Sequence, residues 1–418
     1  MKNRQVHIIG AGVAGLSAAV RLCHSGERVQ LYEAASHAGG RCRSFDDQTL
    51  GRHVDNGNHL VLSGNREIMS YLDIVGARDQ LLTPSEADIP FFNVRNKEKW
   101  KLRPNQGPVP FWIFRKQQRA PGTSAWDYLS GVRMSLASGT RTVSDYLNPS
   151  RPAYENFWLP LCLATLNTHP DEAAASLLWP VLRETFLRGG AHCRPMMIRN
   201  SLNRTFIDPA LDFIGRKGGT ISFNRRLKAV SSVDERIVSF DFKGETVRLA
   251  PDDQVILAVP PETIREVLPE IMVPQENRPI VNAHFQLRRP VGQPLVMGLV
   301  GSRSHWLFVR GDVASVTVSG ATALVDLGAE EIARVLWPEI ALALELSPDP
   351  VPAYRIVKEK RATFAQTIEQ VRRRPTTGTQ LKNLFLAGDW ISTGLPATLE
   401  GATLSGRLAV DAIHKQWA

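Results

Sequence analysis

The stretch VHIIGAGVAGLSAAVRL, Val6 to Leu22, constrains this chain more than any other. It follows the basic residues MKNR, so two readings compete: the apolar core of a secretory signal, or the opening of a nucleotide-binding fold. A signal core is a plain apolar run that ends at small residues. This run is punctuated instead. Val6, Ile8 and Ile9 read as a short buried strand, and Leu16 to Leu22 has helical periodicity. Between them Gly10, Gly12 and Gly15 stand at G-x-G-x-x-G spacing. The first glycine suits a tight turn, the second a close approach of a pyrophosphate, and the third close helix–strand packing. A diphosphate would then sit on the helix N-terminus, where unpaired N–H groups and the dipole favour an anion.

A second strand, Arg28 to Tyr32, ends at Glu33. An acidic residue roughly 20 residues past the glycines is placed to bind a ribose hydroxyl. It also argues against a 2′-phosphate. The dinucleotide reading is therefore preferred, and a doubly wound α/β domain is expected.

Composition sets the outer limits. The 418 residues suffice for two domains, and 43% are hydrophobic, as in ordinary globular proteins. No apolar run approaches the ~18 residues of a spanning helix. The four cysteines are scattered and suggest no disulfide framework, so a reducing cytoplasm is expected. No metal or haem ligand pattern stands out. The net charge of +9 suits anionic lipid, anionic substrate or nucleic acid. With no nucleic-acid motif, that last partner is not expected.

Three further segments bear on the dinucleotide. In AASHAGGRCRSF, Gly39-Gly40 precede Arg41. They form either a turn with a solvated arginine, or a second close approach with a cation near the diphosphate, as a long flavin dinucleotide needs. In NLFLAGDWISTGLPATLEGATLSGRLAVDAI, a strand from Leu384 to Ala387 runs into the Gly388-Asp389 turn, and a helix starts near Leu399 or Glu400. Asp389 can accept ribityl hydroxyls, and the helix start at Gly401-Ala402 can aim N–H groups at a flavin carbonyl edge. In mid-chain, GGTISFNRRLKAVSSV and QVILAVPPETIREVLP read as strands and turns of the same domain.

Together, GAGVAGL, YEA, GGRCRS, LAGDW and TLEGATLSGRLA resemble the flavin amine oxidase/phytoene desaturase superfamily. The resemblance implies FAD bound by Gly10, Gly12, Ala14, Gly15, Glu33, Gly40, Arg41, Leu227, Gly388, Asp389, Glu400, Gly401 and Ala402. Leu227 would contact the adenine. It also implies a Rossmann-like FAD domain at about 1–83, 205–268 and 355–418. A discontinuous α+β substrate domain, about 84–204 and 269–354, would cover the flavin. Segment 126–190 reads as helical. RPIVNAHFQLRRP, QPLVMGLV and VASVTVSG read as strands, and AEEIARVLWPEIALAL as an amphipathic helix.

Three stretches address the substrate. In RHVDNGNHLVL the superfamily's D-x-G turn is Asp55-Asn56-Gly57, set against the flavin, with His59 two residues on. Asp55 and His59 become the catalytic candidates, and a histidine there suits a proton donor. The alternative is a structural histidine. The run NFWLPLCLATLNTHP, with VDNGNHLVL, AGDWISTGLPATLEGA and EKRATFAQT, resembles one branch of the superfamily, the squalene-associated FAD-dependent desaturases or hydroxysqualene dehydroxylases. AHCRPMMIRNSLNRTFIDPA departs from that branch's pattern. Asn167 and His169, at the end of the apolar helix, are candidates to reach a substrate hydroxyl. Finally, Phe91 to Arg119 holds eight basic residues against one acid, interleaved with Trp100, Phe111, Trp112 and Phe114. It is either a hairpin with one solvated face or a contact for an anionic membrane surface.

The branch resemblance implies reduction of hydroxysqualene to squalene in hopanoid biosynthesis, on FAD fed by an external electron donor. The site would be cytoplasmic, with peripheral membrane contact. A polyprenyl desaturase, an amine oxidase and a non-catalytic prenyl-lipid carrier of related fold are the alternatives.

Overall fold

The computed structural model describes residues 4–137 and 139–418. Val6 and Ile8 are fully buried because their strand, Gln5–Ile9, lies at the centre of a five-stranded parallel sheet. The spatial order is Thr220–Ser222, Arg28–Tyr32, Gln5–Ile9, Gln254–Leu257, Leu384–Leu386. Parallel strands buried on both faces carry unbroken apolar runs, as VIL in the fourth and LFL in the fifth show.

The chain leaves the central strand at Gly10, whose φ is +107°, and enters the helix Val13–His24. That helix packs on the C-terminal helix Leu399–Trp417, where the Ser17 hydroxyl donates to the Thr403 carbonyl at 2.9 Å. The two ends of the sequence thus meet over one sheet. Three antiparallel strands, Leu227–Val233, Arg236–Phe242 and Glu245–Arg248, form a separate small sheet. Its Phe240 and Phe242 pack on Tyr32.

The second layer is a seven-stranded sheet. Its order is Tyr354–Phe364, Asn277–Gln286, Val313–Ser319, Trp306–Arg310, Leu295–Val300, Ile89–Asn93, Lys99–Leu102. The Leu295–Val300 and Ile89–Asn93 strands run parallel and the other pairs antiparallel. Ile332, Leu336, Trp337 and Ile340 of the helix Ala329–Ala343 form one apolar stripe and share a core with Val281, Phe285 and Val316 of the sheet. The helices Ala125–Leu129, Leu159–Leu166 and Ala175–Glu184 build a second core with Ile89, Phe91 and Leu102.

The expected α/β domain and α+β second layer are both present, but three expectations need correction. The strand Trp306–Arg310 escaped the sequence reading; WLFV is a continuous apolar run in which neither period shows. The strand Tyr354–Phe364 pairs with Asn277–Gln286, so the dinucleotide layer resumes after Phe364 rather than at 355. The divergent segment belongs, from Pro195 onward, to the dinucleotide layer and not to the substrate domain, though its Cys193 joins the second core. Its Pro195–Ile198 strand pairs with Val61–Leu62 and Leu81–Leu82, and Met196, Ile198 and Leu202 join the core under Leu16 and Leu72. That layer therefore begins again before 205.

Candidate active site

One cavity of about 1120 Å³ draws its walls from both layers. This exceeds the usual ~300–1,000 Å³ of a single small-ligand site and suits a long cofactor together with a substrate.

The dinucleotide side is built from two glycine turns laid together. The Gly39 N–H donates to the Ala11 carbonyl at 2.8 Å, and Gly12 pairs with Gly39 as an isolated bridge. A Cβ on Gly12 would meet no atom within 4 Å, whereas one on Gly15 would collide with the Gly10 carbonyl oxygen. Gly12 therefore leaves open space where a ligand approaches, and Gly15 fills a packing role without lining the cavity. The first helical N–H groups, those of Val13 and Ala14, have no intrahelical acceptor and are free for an anion. Glu33 lines the same space. Its carboxylate accepts the Ala11 N–H and the Ala35 N–H, each at 2.8 Å. A carboxylate offers about four acceptor positions, so a ribose hydroxyl still finds a partner. These observations fit a bound dinucleotide.

Arg41 and Asp389 both line the cavity, joined by an ion pair of 2.7 Å. Arg41 also donates to the Ala362 carbonyl. The sequence offered a lone cation and a lone acceptor; the fold joins them within the dinucleotide layer, and the bond to Ala362 ties Arg41 to the seven-stranded sheet. Gly388 and Leu227 line the wall as expected.

The C-terminal helix requires a correction. The Gly401 N–H donates to the Thr398 hydroxyl at 3.2 Å, and the Ala402 N–H to the Thr398 carbonyl at 2.9 Å. The first is consumed by capping and the second by the first intrahelical bond, so the free amides of this first turn are those of Leu399 and Glu400. Gly401 lies off the cavity, and a Cβ there would stand 2.5 Å from the Pro396 carbonyl oxygen. The Glu400 carboxylate accepts the Glu67 and Ile68 N–H groups at 3.0 Å each. It thereby caps the helix Arg66–Val75, whose own N-cap side chain makes no such bond. Burial pushes Glu400 up to about 7, against the pull of those two donors.

On the substrate side the wall is apolar, with Phe91, Phe157, Leu161, Phe186, Trp306 and Phe308 prominent. His59 stands in this wall. Burial pushes it down to about 4; nearby Asp55 opposes that shift and Arg41 adds to it. Asn58 lies beside it, donating to the Thr317 hydroxyl at 3.1 Å, which donates in turn to Asn282 Oδ1 at 2.7 Å.

Asp55 does not line the cavity. It is buried, 4% exposed, and accepts from the Ser44 hydroxyl at 2.7 Å, the Leu202 N–H at 3.0 Å and Arg310 at 2.6 Å. It staples the two layers together, so its catalytic assignment is withdrawn. Asn167 lines the cavity but is occupied. Its amide donates to the Arg278 carbonyl and the Thr363 hydroxyl, and its oxygen accepts the Gly320 N–H. His169 is half exposed and pairs with Asp171, away from the cavity.

One residue escaped the sequence reading. Buried Arg374 donates to the carbonyls of Asp389, Trp390, Ile391 and Leu395, and so fixes the loop that carries Asp389. Within the run VRRRP nothing distinguishes it from its solvated neighbours.

The sequence profile described as flavin containing amine oxidoreductase matches residues 13–414. The chain is 42% identical over 408 residues to the hydroxysqualene dehydroxylase of Sinorhizobium fredii (strain NBRC 101917 / NGR234), covering 98% of each chain. It is 42% identical over 412 residues to the protein of the same name from Rhodopseudomonas palustris (strain ATCC BAA-98 / CGA009), again 98% of each. In fold it is similar to putrescine oxidase, with a TM-score of 0.71 and 16% identity over 98% of this chain and 99% of that one. A profile match over nearly the whole chain and full-length relatives at this identity agree with the cavity's glycine turns and free helix N-terminus: the chain belongs to the flavin containing amine oxidoreductase family.

Proposed function

We propose that this chain is an FAD-dependent dehydroxylase of a C30 isoprenoid, which converts hydroxysqualene to squalene. The observation that carries the reading is that a dinucleotide cradle and a long aromatic-lined apolar wall share one cavity. The full-length likeness to proteins named hydroxysqualene dehydroxylase supports hydroxysqualene as the substrate.

Bound in its reduced form, the flavin supplies the hydride that replaces the hydroxyl. The Gly10–Gly12 turn, the amides of Val13 and Ala14, and Glu33 would hold the diphosphate and ribose, and Asp389, aligned by Arg41 and Arg374, would accept from the ribityl hydroxyls. Hydroxide leaves poorly, so a proton must reach the oxygen as the carbon–oxygen bond breaks. His59 is the group in the wall suited to deliver it. A ring pushed to about 4 gives up its proton readily, and a negative charge in the cavity raises its hold on that proton. The developing allylic cation is shielded from water by Phe91, Phe157, Phe186 and Trp306. The products are squalene and water, and the electrons return from a separate donor, since the chain carries a single G-x-G-x-x-G.

Among the described residues no helix is long and apolar enough to cross a membrane. The reading places the enzyme on the cytoplasmic face, in peripheral contact with anionic lipid. Purified protein, kept anaerobic with a chemical reductant and hydroxysqualene in detergent, is expected to release squalene. An unchanged substrate, with the flavin bound and reduced, would overturn the assignment.

A further inference from the structure

The basic hairpin that first suggested membrane contact is largely spoken for. Lys99 pairs with Glu345 at 2.6 Å, and Lys101 and Arg103 share Asp88 at 2.6 and 2.7 Å. The next segment is different. Six of the ten large hydrophobic residues exposed among the described residues fall between 109 and 136: Val109, Phe111, Phe114, Trp126, Val132 and Leu136. Trp126 is 78% exposed and Leu136 85%. Apolar side chains scattered singly are ordinary, but concentrations of them mark contact surfaces.

These residues are presented by fixed backbone. In the turn Phe111–Phe114, Trp112 and Ile113 are buried while Phe111 and Phe114 point out. Asn105 holds the turn, accepting the Trp112 N–H at 3.0 Å and donating to the Val109 carbonyl at 2.9 Å. Trp112 packs edge-on to Tyr128 with ring centres 5.0 Å apart, which joins this turn to the helix that exposes Trp126. The same Trp112 lies 6.3 and 6.1 Å, centre to centre, from Phe157 and Phe186, and both of those line the cavity. The exposed face is therefore one aromatic layer away from the substrate wall.

Its charges choose the occupant. Arg115, Lys116 and Arg133 are exposed, and none makes an ion pair among the described residues. The segment's acid, Asp127, is buried against Arg151 and Ser124. Two copies meeting here would bring like charges together, whereas an anionic bilayer satisfies both the cations and the aromatics. We propose that residues 109–136 form a docking face for an anionic lipid surface, with Phe111, Phe114 and Trp126 entering the interface and Arg115, Lys116 and Arg133 meeting headgroups. The idea deepens the lipid-substrate reading above, because docking would set the cavity wall against the layer in which such a substrate dissolves.

Flavin-loaded full-length protein, floated with phosphatidylglycerol-containing or pure phosphatidylcholine vesicles at low and high salt, tests it without substrate. The wild type is expected to float with the anionic vesicles and to be released by salt. The combined Phe111→Ser, Phe114→Ser and Trp126→Ser variant should partition at least about tenfold less, since each change removes apolar area from the interface. It should keep its flavin absorbance and melting temperature, as all three side chains are exposed. Arg115→Gln with Lys116→Gln and Arg133→Gln should lose the salt-sensitive part. Lys97→Ser with Lys99→Ser and Lys101→Ser should float as the wild type does. A wild type that stays at the bottom, an apolar variant that floats equally well, or a wild-type dimer that the apolar variant splits would each overturn the proposal. Dehydroxylation measured in detergent is independent of these outcomes, so failure of docking and failure of the functional reading remain distinguishable.

Discussion

Burial in the cavity wall pushes His59 to about 4, so at neutral pH its ring is uncharged. If this ring carries the proton to the departing oxygen, the single-turnover rate of pre-reduced enzyme falls as pH rises above the His59 pKa, because the protonated fraction falls. His59→Gln, which hydrogen-bonds but does not protonate, should be slower by about 10²–10⁴-fold and should lose that pH limb while keeping its flavin. A His59→Gln variant with the wild-type rate and slope would place the acid elsewhere. Asp55, two residues before the Gly57 of the same turn, calls for the opposite readout. It is buried against Arg310, Ser44 and the Leu202 amide. Asp55→Ala leaves Arg310 without its carboxylate, so a loss of about 3–5 kcal/mol in stability is expected. Chemical denaturation should report it, with kcat in the folded fraction little changed. A stable Asp55→Ala enzyme without activity would restore the catalytic role. Both residues were visible in RHVDNGNHLVL; what separates them, which side of the wall each faces, depends on strands more than a hundred residues away.

At the scale of elements, the strand–turn–helix opening makes a paired prediction. Gly12→Ala adds a methyl group where no protein atom lies within 4 Å, and Gly15→Ala adds one inside the Gly10 carbonyl oxygen. The first should leave the melting temperature of the flavin-free protein nearly unchanged and weaken FAD by tenfold or more, because the methyl takes the diphosphate's space. The second should destabilise the fold by about 1–3 kcal/mol through overpacking. Equal effects of the two on stability would contradict the division of labour between these glycines. The elements that carry FAD were legible because each has a local signature: glycines at fixed spacing, an acid at a strand end, a Gly-Asp turn before a helix. The capping of helix Arg66–Val75 by Glu400, and the loop clamp by Arg374, had none. Each joins a side chain to backbone groups remote in sequence or otherwise featureless, and only the assembled fold brings them together. The Trp306–Arg310 strand was missed for a related reason, since a short, wholly apolar run carries no period.

Across the whole molecule the two layers are riveted by ion pairs from the antiparallel pair Ser44–Asp47 and Arg52–Asp55 to the seven-stranded sheet and one of its turns: Asp55 with Arg310, Arg52 with Asp312, Asp47 with Arg355. Two histidines of this sheet, buried His284 and the half-buried His305 just before the Trp306–Arg310 strand, are pushed down to about 4 by burial. Their folded pKa lies below the unfolded value of about 6.5. The unfolded chain therefore binds more protons between those values, and stability is lost as pH falls from 6.5 towards 4. Each contributes up to about 3 kcal/mol to that loss. Melting temperatures measured over this range should drop, and His284→Asn should flatten the slope; an unchanged slope would show that these rings do not govern acid sensitivity. All of this architecture serves one cavity, and the claim that it performs a reductive dehydroxylation is tested most directly by one anaerobic experiment. Photoreduced enzyme is mixed with one equivalent of hydroxysqualene, flavin absorbance is followed in time, and the lipid is extracted at each point. The account predicts that flavin reoxidation and squalene formation share one rate constant and a one-to-one yield. Flavin that stays reduced while the substrate is unchanged, or oxidised enzyme that instead yields a product with two hydrogens fewer, would contradict it.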